Sequence, residues 1–404
     1  MPRLRLTLRA ALFIPLFLVF FLAHPPASAD CECGYALRPP HIEIWKSGQP
    51  SIVFTEVTES NFGKLGVGDI GQNTDWVPQA FNLTETDSRG TFGQTFTVDN
   101  VKLGSNAEGL KLVVGSALIG GKVPGAEMDT SRLDMAWGTF RASIKLTDVR
   151  GTCAAFFWVP YLCPLSGSRL RDSADLEGLA QYFNDTQEID VEFLSKEFEP
   201  KNNSYPINLV LQSPEAEREG FDASKTANFV KVYLPFNPTT DFHKYRIDYL
   251  PGQVVFYADG MELAHMNGPA VPISSGHLIL RHWSNGNGQW SGGPPMEDAV
   301  MAVRYVKAYF NSSTPRRFNH WARRCRNPSA HNAVCPIPDL TPNSLGAADW
   351  FFSENWNMTN NQTVYQENSV GERKSPGIVW LLLLFWAWHT TRRQCLFYFT
   401  SKCL

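Results

Sequence analysis

Three acids carry most of the chemistry this chain could perform. In NDTQEIDVEFLSKEF, Glu188, Asp190 and Glu192 alternate with Ile189, Val191 and Phe193. A period of two predicts a β-strand with all three carboxyls on one face and the apolar side chains beneath. Like charges aligned on one sheet face repel, so a strand with no task for them rarely keeps three. The bland alternative is the solvated face of an edge strand. Against it stands the nearby apolar run GTCAAFFW, which suits a sheet neighbour buried on both faces. Glycosidic cleavage needs two carboxyls in opposed roles, one protonating the leaving oxygen and one acting as nucleophile or base. Residues i and i+4 lie about 13 Å apart at Cα in a flat strand, so Glu188 and Glu192 could converge only across a curved face. Asp190 between them would raise its neighbours' affinity for a proton, so that one acid stays protonated while another ionises. Spacing does not tell the two glutamates apart.

Groups that could hold a sugar lie downstream. HWSNGNGQW places Trp283 and Trp290 around a Gly/Asn loop, and Arg281 shares strand parity with Trp283. Flat C–H sugar faces stack on such rings, although Trp283 could equally be a core residue. In YPINLVLQS, Asn208 and Gln212 share one face beside the acidic strand and could bind hydroxyls. Trp158 and Trp137 are further candidates, each also suited to core packing. His243 and His282 read as ordinary strand histidines, because no Ser or Cys motif accompanies them. No cofactor-binding or metal-ligand pattern is present in the sequence.

The elements that must position these groups are strands. In WGTFRASIKL, Phe140, Ala142, Ile144 and Leu146 share one face, while Thr139, Arg141, Ser143 and Lys145 share the other. YRIDYL, QVVFYADGMELAHM and AVMAVRYVKAYF follow, and Asp259-Gly260 between two runs is a strong hairpin signal. Many strands and few helical patterns predict an all-β antiparallel sandwich over residues 30–312. From Thr314 the composition shifts, and 313–375 reads as a loop-rich tail. Its basic cluster, Arg316, Arg317, Arg323, Arg324 and Arg326, suits a solvated face better than an anionic partner.

The 404 residues carry 36 basic against 39 acidic side chains, so the basic excess of a nucleic-acid binder is missing. Residues 1–29 read as a secretory signal. A basic n-region precedes ALFIPLFLVFFLA and the small-residue site Ala27-Ser28-Ala29, which puts the mature start at Asp30. Six N-x-S/T sequons, at Asn82, Asn184, Asn202, Asn311, Asn357 and Asn361, agree with secretion. In an oxidising compartment Cys325 and Cys335, bracketing a short loop, are expected to pair, and Cys31 or Cys33 is a candidate partner for Cys153. Within 376–404, GIVWLLLLFWAWH would span about 20 Å as a helix, short of a bilayer core. It is compatible with a clipped membrane anchor.

The segment EIDVE resembles the E-[IL]-D-[IV]-E signature of glycoside hydrolase family 16, in the branch with a regular catalytic strand. MAWGTFRASIKL, GTCAAFFW, FHKYRIDYLPGQVVFYADG and GHLILRHWSNGNGQWSGG lie in the family's order and extend the resemblance over about 130–310. CECGY and TDWVPQAFNL resemble a filamentous-fungal subgroup, whose members usually carry a membrane-spanning C-terminus. The resemblance implies a concanavalin A-like jelly roll with a concave cleft. It implies Glu188 as nucleophile, Glu192 as general acid/base and Asp190 as the group orienting Glu188. It further implies a β-glucan substrate for a chain acting as a monomer, secreted or at the cell surface. Three functions share this frame: a retaining endo-β-glucanase on β-1,3 or β-1,3/1,4 linkages, a transglycosylase using a glucan or chitin acceptor, and a non-catalytic lectin. The aligned acids argue against the lectin.

One stretch departs from the family pattern. VPYLCPLSGSRLRDSADLEGLAQ, residues 159–181, separates the FFW strand from the acidic strand where members run almost directly on. It reads either as a lid bordering the site or as a retained intron, since it opens with Val (GT codons), closes with Gln (a CAG codon) and leaves Cys163 without an evident partner. The ending TTRRQCLFYFTSKCL could have a similar origin.

Overall fold

The computed structural model describes residues 30–37, 52–65, 75–104, 108–160, 186–338 and 350–354. Alternation in its long strands builds two stacked sheets. The first runs β17 (Met261–Asn267), β16 (Gln253–Ala258), β15 (His243–Leu250), β10 (Met135–Lys145), β19 (Ala299–Ser312) and β3 (Glu56–Asn61), all antiparallel. The start of β19 also pairs with β8 (Leu110–Val114), which carries β7 (Val101–Leu103). The second sheet runs β14 (Phe229–Tyr233), β13 (Pro206–Leu211), β12 (Ile189–Leu194), β11 (Cys153–Pro160), β18 (Gly276–Trp283), β9 (Lys122–Thr130) and β4 (Trp76–Pro78). At its margin β6 (Gly93–Phe96) joins β9 in parallel and pairs with β5 (Phe81–Leu83).

One core fills the space between the sheets. Phe140, Ala142 and Ile144 of β10 meet Ile189, Val191 and Phe193 of β12, together with Phe156 and Trp158 of β11. Apolar burial of this extent is the dominant stabilising term. The chain is thus the all-β antiparallel sandwich that the alternation predicts, with the jelly-roll form that the family resemblance implies. β11 is buried along its whole length between β12 and β18, as its apolar composition requires. Asp259 and Gly260 both take positive φ, 47° and 82°, and join β16 to β17 in the tight turn that their sequence announces.

The ends of the chain differ from expectation. Cys325 and Cys335 do not pair with each other: the bridges are Cys31–Cys335 and Cys33–Cys325, spanning 304 and 292 residues. Cys153 is a free, buried thiol. Its place in central β11 keeps it from either N-terminal cysteine. A small sheet made of β2 (Ile52–Phe54), β1 (Gly34–Leu37) and β20 (Val334–Pro336) brings the cysteines together, with β1 and β20 parallel. Tyr35, Phe54, Ile337 and Phe352 pack there with Val57 and Tyr309 on the outer face of the first sheet. The described part of the tail, 313–338 and 350–354, is therefore a docked cover, and it contains the helix Pro315–Arg324. Arg317 of that helix pairs with buried Glu56, and Arg324 donates to the carbonyls of Glu32 and Thr55. Two of the five basic residues are thus internal ties, while Arg316, Arg323 and Arg326 stay exposed.

Of the atypical 159–181 stretch, Val159 and Pro160 belong to β11, opposite His277 and Gly276. The remainder lies outside the described residues, as do Asn184, residues 1–29 that read as a secretory signal, and the 376–404 segment.

The two bridges close nearly the same loop, so their contributions should not add. Once one is formed, the other closes a ring of only about 14 residues, 31–33 and 325–335. Replacing either pair by serine is expected to cost about 3 kcal/mol, and replacing all four roughly 9 kcal/mol, because only then is the entropy of the long loop released as well. Urea unfolding of the three variants checks this, and non-reducing peptide mapping checks the connectivity. A Cys325–Cys335 peptide would contradict it.

Candidate active site

Inward placement of Ile189, Val191 and Phe193 sends Glu188, Asp190 and Glu192 to the outward face of the second sheet. Cross-strand register then fixes their neighbours. Glu192 stands opposite Ala155 on β11 and Asn208 on β13. Ala155 stands opposite Arg281 on β18, and Arg281 opposite Glu127 on β9. The next row holds Val210, Asp190, Phe157, Ile279 and Asp129. Ala155, Phe157, Val159 and Ile279 form an apolar floor beside the acids on the same outward face. Glu188 lies just ahead of β12, and its carbonyl accepts the Gln212 amide N–H at 3.0 Å. The site therefore has strand-mounted carboxyls beside an apolar floor.

Glu192 has unusual surroundings. Burial pushes its carboxyl up to about 7, against hydrogen bonds from Cys153 and Trp290 and the charge of Arg281, which all favour the ionised form. The Cys153 thiol donates to Oε1 over 3.7 Å. Arg281 does not neutralise Glu192 outright, because its own partners hold it. Its Nε lies 3.0 Å from Glu127 Oε2, and it donates to Gln94 Oε1 at 3.0 Å. The guanidinium also lies 4.5 Å from the centre of the Phe96 ring and 5.7 Å from that of Trp283. A carboxyl that titrates near neutrality beside two ionisable neighbours on its own strand is suited to giving and taking a proton.

The loop after β18 delivers Trp290 to this carboxyl. Asn285 is its anchor: its side chain donates to Ser88 O at 2.6 Å and accepts from Ser291 Oγ at 2.8 Å and from the Asn287 amide at 3.0 Å. Asn287 in turn accepts the Gln289 amide, and its carbonyl takes the Trp290 N–H at 3.0 Å. Such Asx turns are why the Asn/Gly composition suits this loop. Gly286 has φ 72°, and a Cβ there would meet the Phe92 ring at 2.5 Å.

The structure brings Trp290, Trp283, Arg281, Asn208 and Gln212 to the same outward face as the three acids. Asn208 Oδ1 and Gln212 Oε1 are buried and have no hydrogen-bond partner. Trp158 is different: it is fully buried, donates its indole N–H to Met135 O at 3.2 Å and packs on Tyr249. Its parity with Phe156 points it into the core, so it contributes no sugar platform. Trp137 belongs to β10 of the first sheet and is exposed. His282 bridges Leu112 O and Thr152 Oγ1 in the interior, and His243 binds Asp259 and stacks on Phe236. Among the described residues no group of three or more His, Cys, Asp or Glu side chains is arranged to hold a metal.

The sequence pointed to Cys153 only as a disulfide candidate and gave no site role to Gln94 or Glu127. The alternation of Glu127 and Asp129 in β9 is the one signal that could have drawn attention to that strand, being the acidic pattern of β12 in shorter form.

Comparison with known proteins identifies the family of this chain. The profile described as "Glycosyl hydrolases family 16" matches residues 88–294, half of the chain, including β9–β13 and the Trp290 loop. A β-glucanase of Paenibacillus macerans is 26% identical over 267 residues, covering 63% of this chain and 97% of that protein. One from Paenibacillus polymyxa is 27% identical over 176 residues, 42% of this chain and 59% of that protein. Among solved structures, the endo-β-1,3-glucanase of Pyrococcus furiosus aligns at a TM-score of 0.46 and 17% identity, covering 63% of this chain and 94% of that one. The chain belongs to family 16 of the glycosyl hydrolases and is a glycoside hydrolase.

Proposed function

We propose that this enzyme cleaves β-1,3 or mixed β-1,3/1,4-glucan internally, with retention at the anomeric carbon, and that it works outside the cell. The observation that carries the reading is Glu192, a half-buried side chain whose carboxyl is poised near neutrality on one strand face with Glu188 and Asp190. Glu192 in its protonated form gives its proton to the leaving glycosidic oxygen, while the Glu188 carboxylate attacks the anomeric carbon to form a glycosyl-enzyme ester. Glu192, now ionised, takes a proton from water. That water attacks the same carbon and releases Glu188. Asp190, between them and buried, orients Glu188. Trp290 and Trp283 supply ring faces, and Asn208 and Gln212 offer unpaired amide oxygens to sugar hydroxyls. The β-glucanase names of the relatives support the substrate class. The signal-like N-terminus and the sequons support an extracellular location.

Glu188→Gln and Glu192→Gln should each lower kcat on laminarin or lichenan by at least about a thousandfold with the unfolding midpoint unchanged, and Asp190→Asn should cost less. Near-wild-type turnover in either glutamine variant removes the assignment. NMR of the first-formed product should show the β-anomer, and running the assay with and without acceptor oligosaccharide reports transfer against hydrolysis.

The pH profile has a definite sign. General acid catalysis needs protonated Glu192, which is lost as pH rises through about 7, so kcat/KM should fall on an alkaline limb near that value. Trp290→Phe removes a hydrogen bond that favours the ionised form, and the limb should move to higher pH. A limb unmoved or lowered in that variant would contradict the contact. Because the folded carboxyl is raised, its contribution to stability is complete below about 4.5 and is lost through about 7.

A further inference from the structure

Two loops rooted at opposite corners of the second sheet meet above its outward face. Residues 84–92 join β5 to β6, at the end of the sheet where β18 finishes at Trp283. Asn285 holds them there. Its side chain donates to Ser88 O and its carbonyl accepts the Phe92 amide at 2.9 Å, while Asn287 Nδ2 donates to Arg89 O at 3.1 Å. Residues 212–228 join β13 to β14 at the other end, where the Gln212 amide donates to the Glu188 carbonyl. This second loop lies on the outward face, since its Ala216 and Ala223 pack against Val210 and Phe229. Between the two roots run β12 and β11, so the gap is three strand spacings, roughly 14 Å. The Arg89 guanidinium nevertheless sits 3.7 Å from the centre of the Phe221 ring. The core fills the inner face, so the contact can only pass over the outward one, above the strands that carry the acids and their neighbours.

Both contact residues are held in an uncommon backbone. Arg89 has φ 54° and Phe221 φ 65°, the left-handed region that glycine occupies at least cost. The Phe221 amide donates to Ala216 O at 2.7 Å and the Arg89 amide to Thr86 O at 3.2 Å, so each residue closes a local turn. A bulky ring kept in such a conformation points to a task for the ring itself. The face below is closed as well: Asp190 is 5% and Asn208 1% exposed. A polysaccharide continues on both sides of the bond to be cut. Internal cleavage therefore needs the chain laid into the cleft from above, through the line that Arg89 and Phe221 occupy. Arg89 is exposed, and a cation over a ring at an exposed site is a weak tie, about two- to fivefold in an equilibrium. Such a tie holds the strap shut between turnovers and yields to an incoming chain.

We infer that Arg89 and Phe221 form a latch across the active-site face, which must part before an internal stretch of polysaccharide reaches the acids. This rests on the glucanase reading of the site. The latched form does not take up polymer, so the apparent affinity is reduced by the latched fraction, and the effect appears in KM.

Proximity is tested first, without substrate. In the double variant Arg89→Cys/Phe221→Cys a short bis-maleimide should join the two loops, with wild-type enzyme and each single variant treated alike as controls. The cross-linked enzyme should lose about tenfold or more in kcat/KM on long laminarin or lichenan, while the treated controls keep their activity. Phe221→Gly suits the left-handed backbone and removes the ring. It should unfold at an equal or higher temperature and lower KM for the polymer about two- to fivefold, with kcat within about twofold. Phe221→Tyr, which keeps the ring, should match wild type. A merely structural contact would give the opposite pattern, a lower midpoint in Phe221→Gly with KM unchanged, and that outcome overturns the inference. No cross-link between the two cysteines, or a cross-linked enzyme as active on polymer as its controls, overturns it too. Should the double variant not fold, Phe221→Gly and Phe221→Tyr decide alone. Wild-type enzyme that cleaves no β-glucan defeats the functional reading and this inference together. Cleavage indifferent to both the cross-link and the loss of the ring defeats the inference alone.

Discussion

The ion pair between Arg281 and Glu127 sets the electrostatics of the outward face. An opposite charge placed directly against Glu192 would hold it ionised, since such contacts lower a carboxyl pKa by about 1–3 units. Arg281 favours the ionised form from two strands away in the same row, across Ala155 of β11. It is drawn to a fully buried Glu127 at 3.0 Å, steadied by Gln94 and by the Phe96 ring. Desolvation is therefore the leading influence on Glu192, and the carboxyl stays near neutrality. The apolar floor of Ala155, Phe157, Val159 and Ile279 acts in the same direction by keeping the medium poorly polarisable.

The sandwich is used asymmetrically. Both sheets bury one face against the common core, and each must then dispose of the other. On the first sheet the N-terminal strand, β20, the helix Pro315–Arg324 and the 350–354 turn cover the outer face and are tied by two disulfides. Glu56 and Lys307, which would otherwise be solvated there, are bound by Arg317 and by the Trp350 carbonyl. The second sheet carries the acids and aromatic rings on its outward face, with the Asn285 loop built at one end. Covering one side stiffens β10, β15 and β19, and the core transmits that rigidity to β11 and β12, whose register decides where the carboxyls stand.

What could be read in advance was whatever is local and periodic. The alternation of β12 placed Glu188, Asp190 and Glu192 on one face, that of β10 divided core from surface, and Asp259-Gly260 marked its hairpin. What could not be read depends on contacts made across long stretches of chain. Cys325 and Cys335 are neighbours in sequence, and nothing local says that each prefers a cysteine about 300 residues away. Arg281 and Glu127 meet only because β18 pairs with β9. Trp158 could have been assigned by parity, since it alternates with Phe157, but aromatic residues at a strand end suit a core and a cleft equally. Trp290 was visible as a loop tryptophan; its hydrogen bond to Glu192 was not, because it depends on how the Asn285 turn aims the ring.

The treatment of buried acids separates scaffold from site. On the first sheet every such charge has partners: Asp248 binds Thr139 and Arg246, Glu56 binds Arg132 and Arg317, and Glu59 binds Tyr309 and the Ser353 amide. Those pairings fix strand neighbours and leave little to gain from any further molecule. On the second sheet Glu192 is met by a thiol and an indole, which are weak partners for a carboxylate. Folding by itself gains nothing from this arrangement, since apolar residues of similar volume would pack at lower cost. Its energetic sense appears only when a hydroxyl-rich ligand supplies the missing bonds, with the stability given up on folding returned as binding.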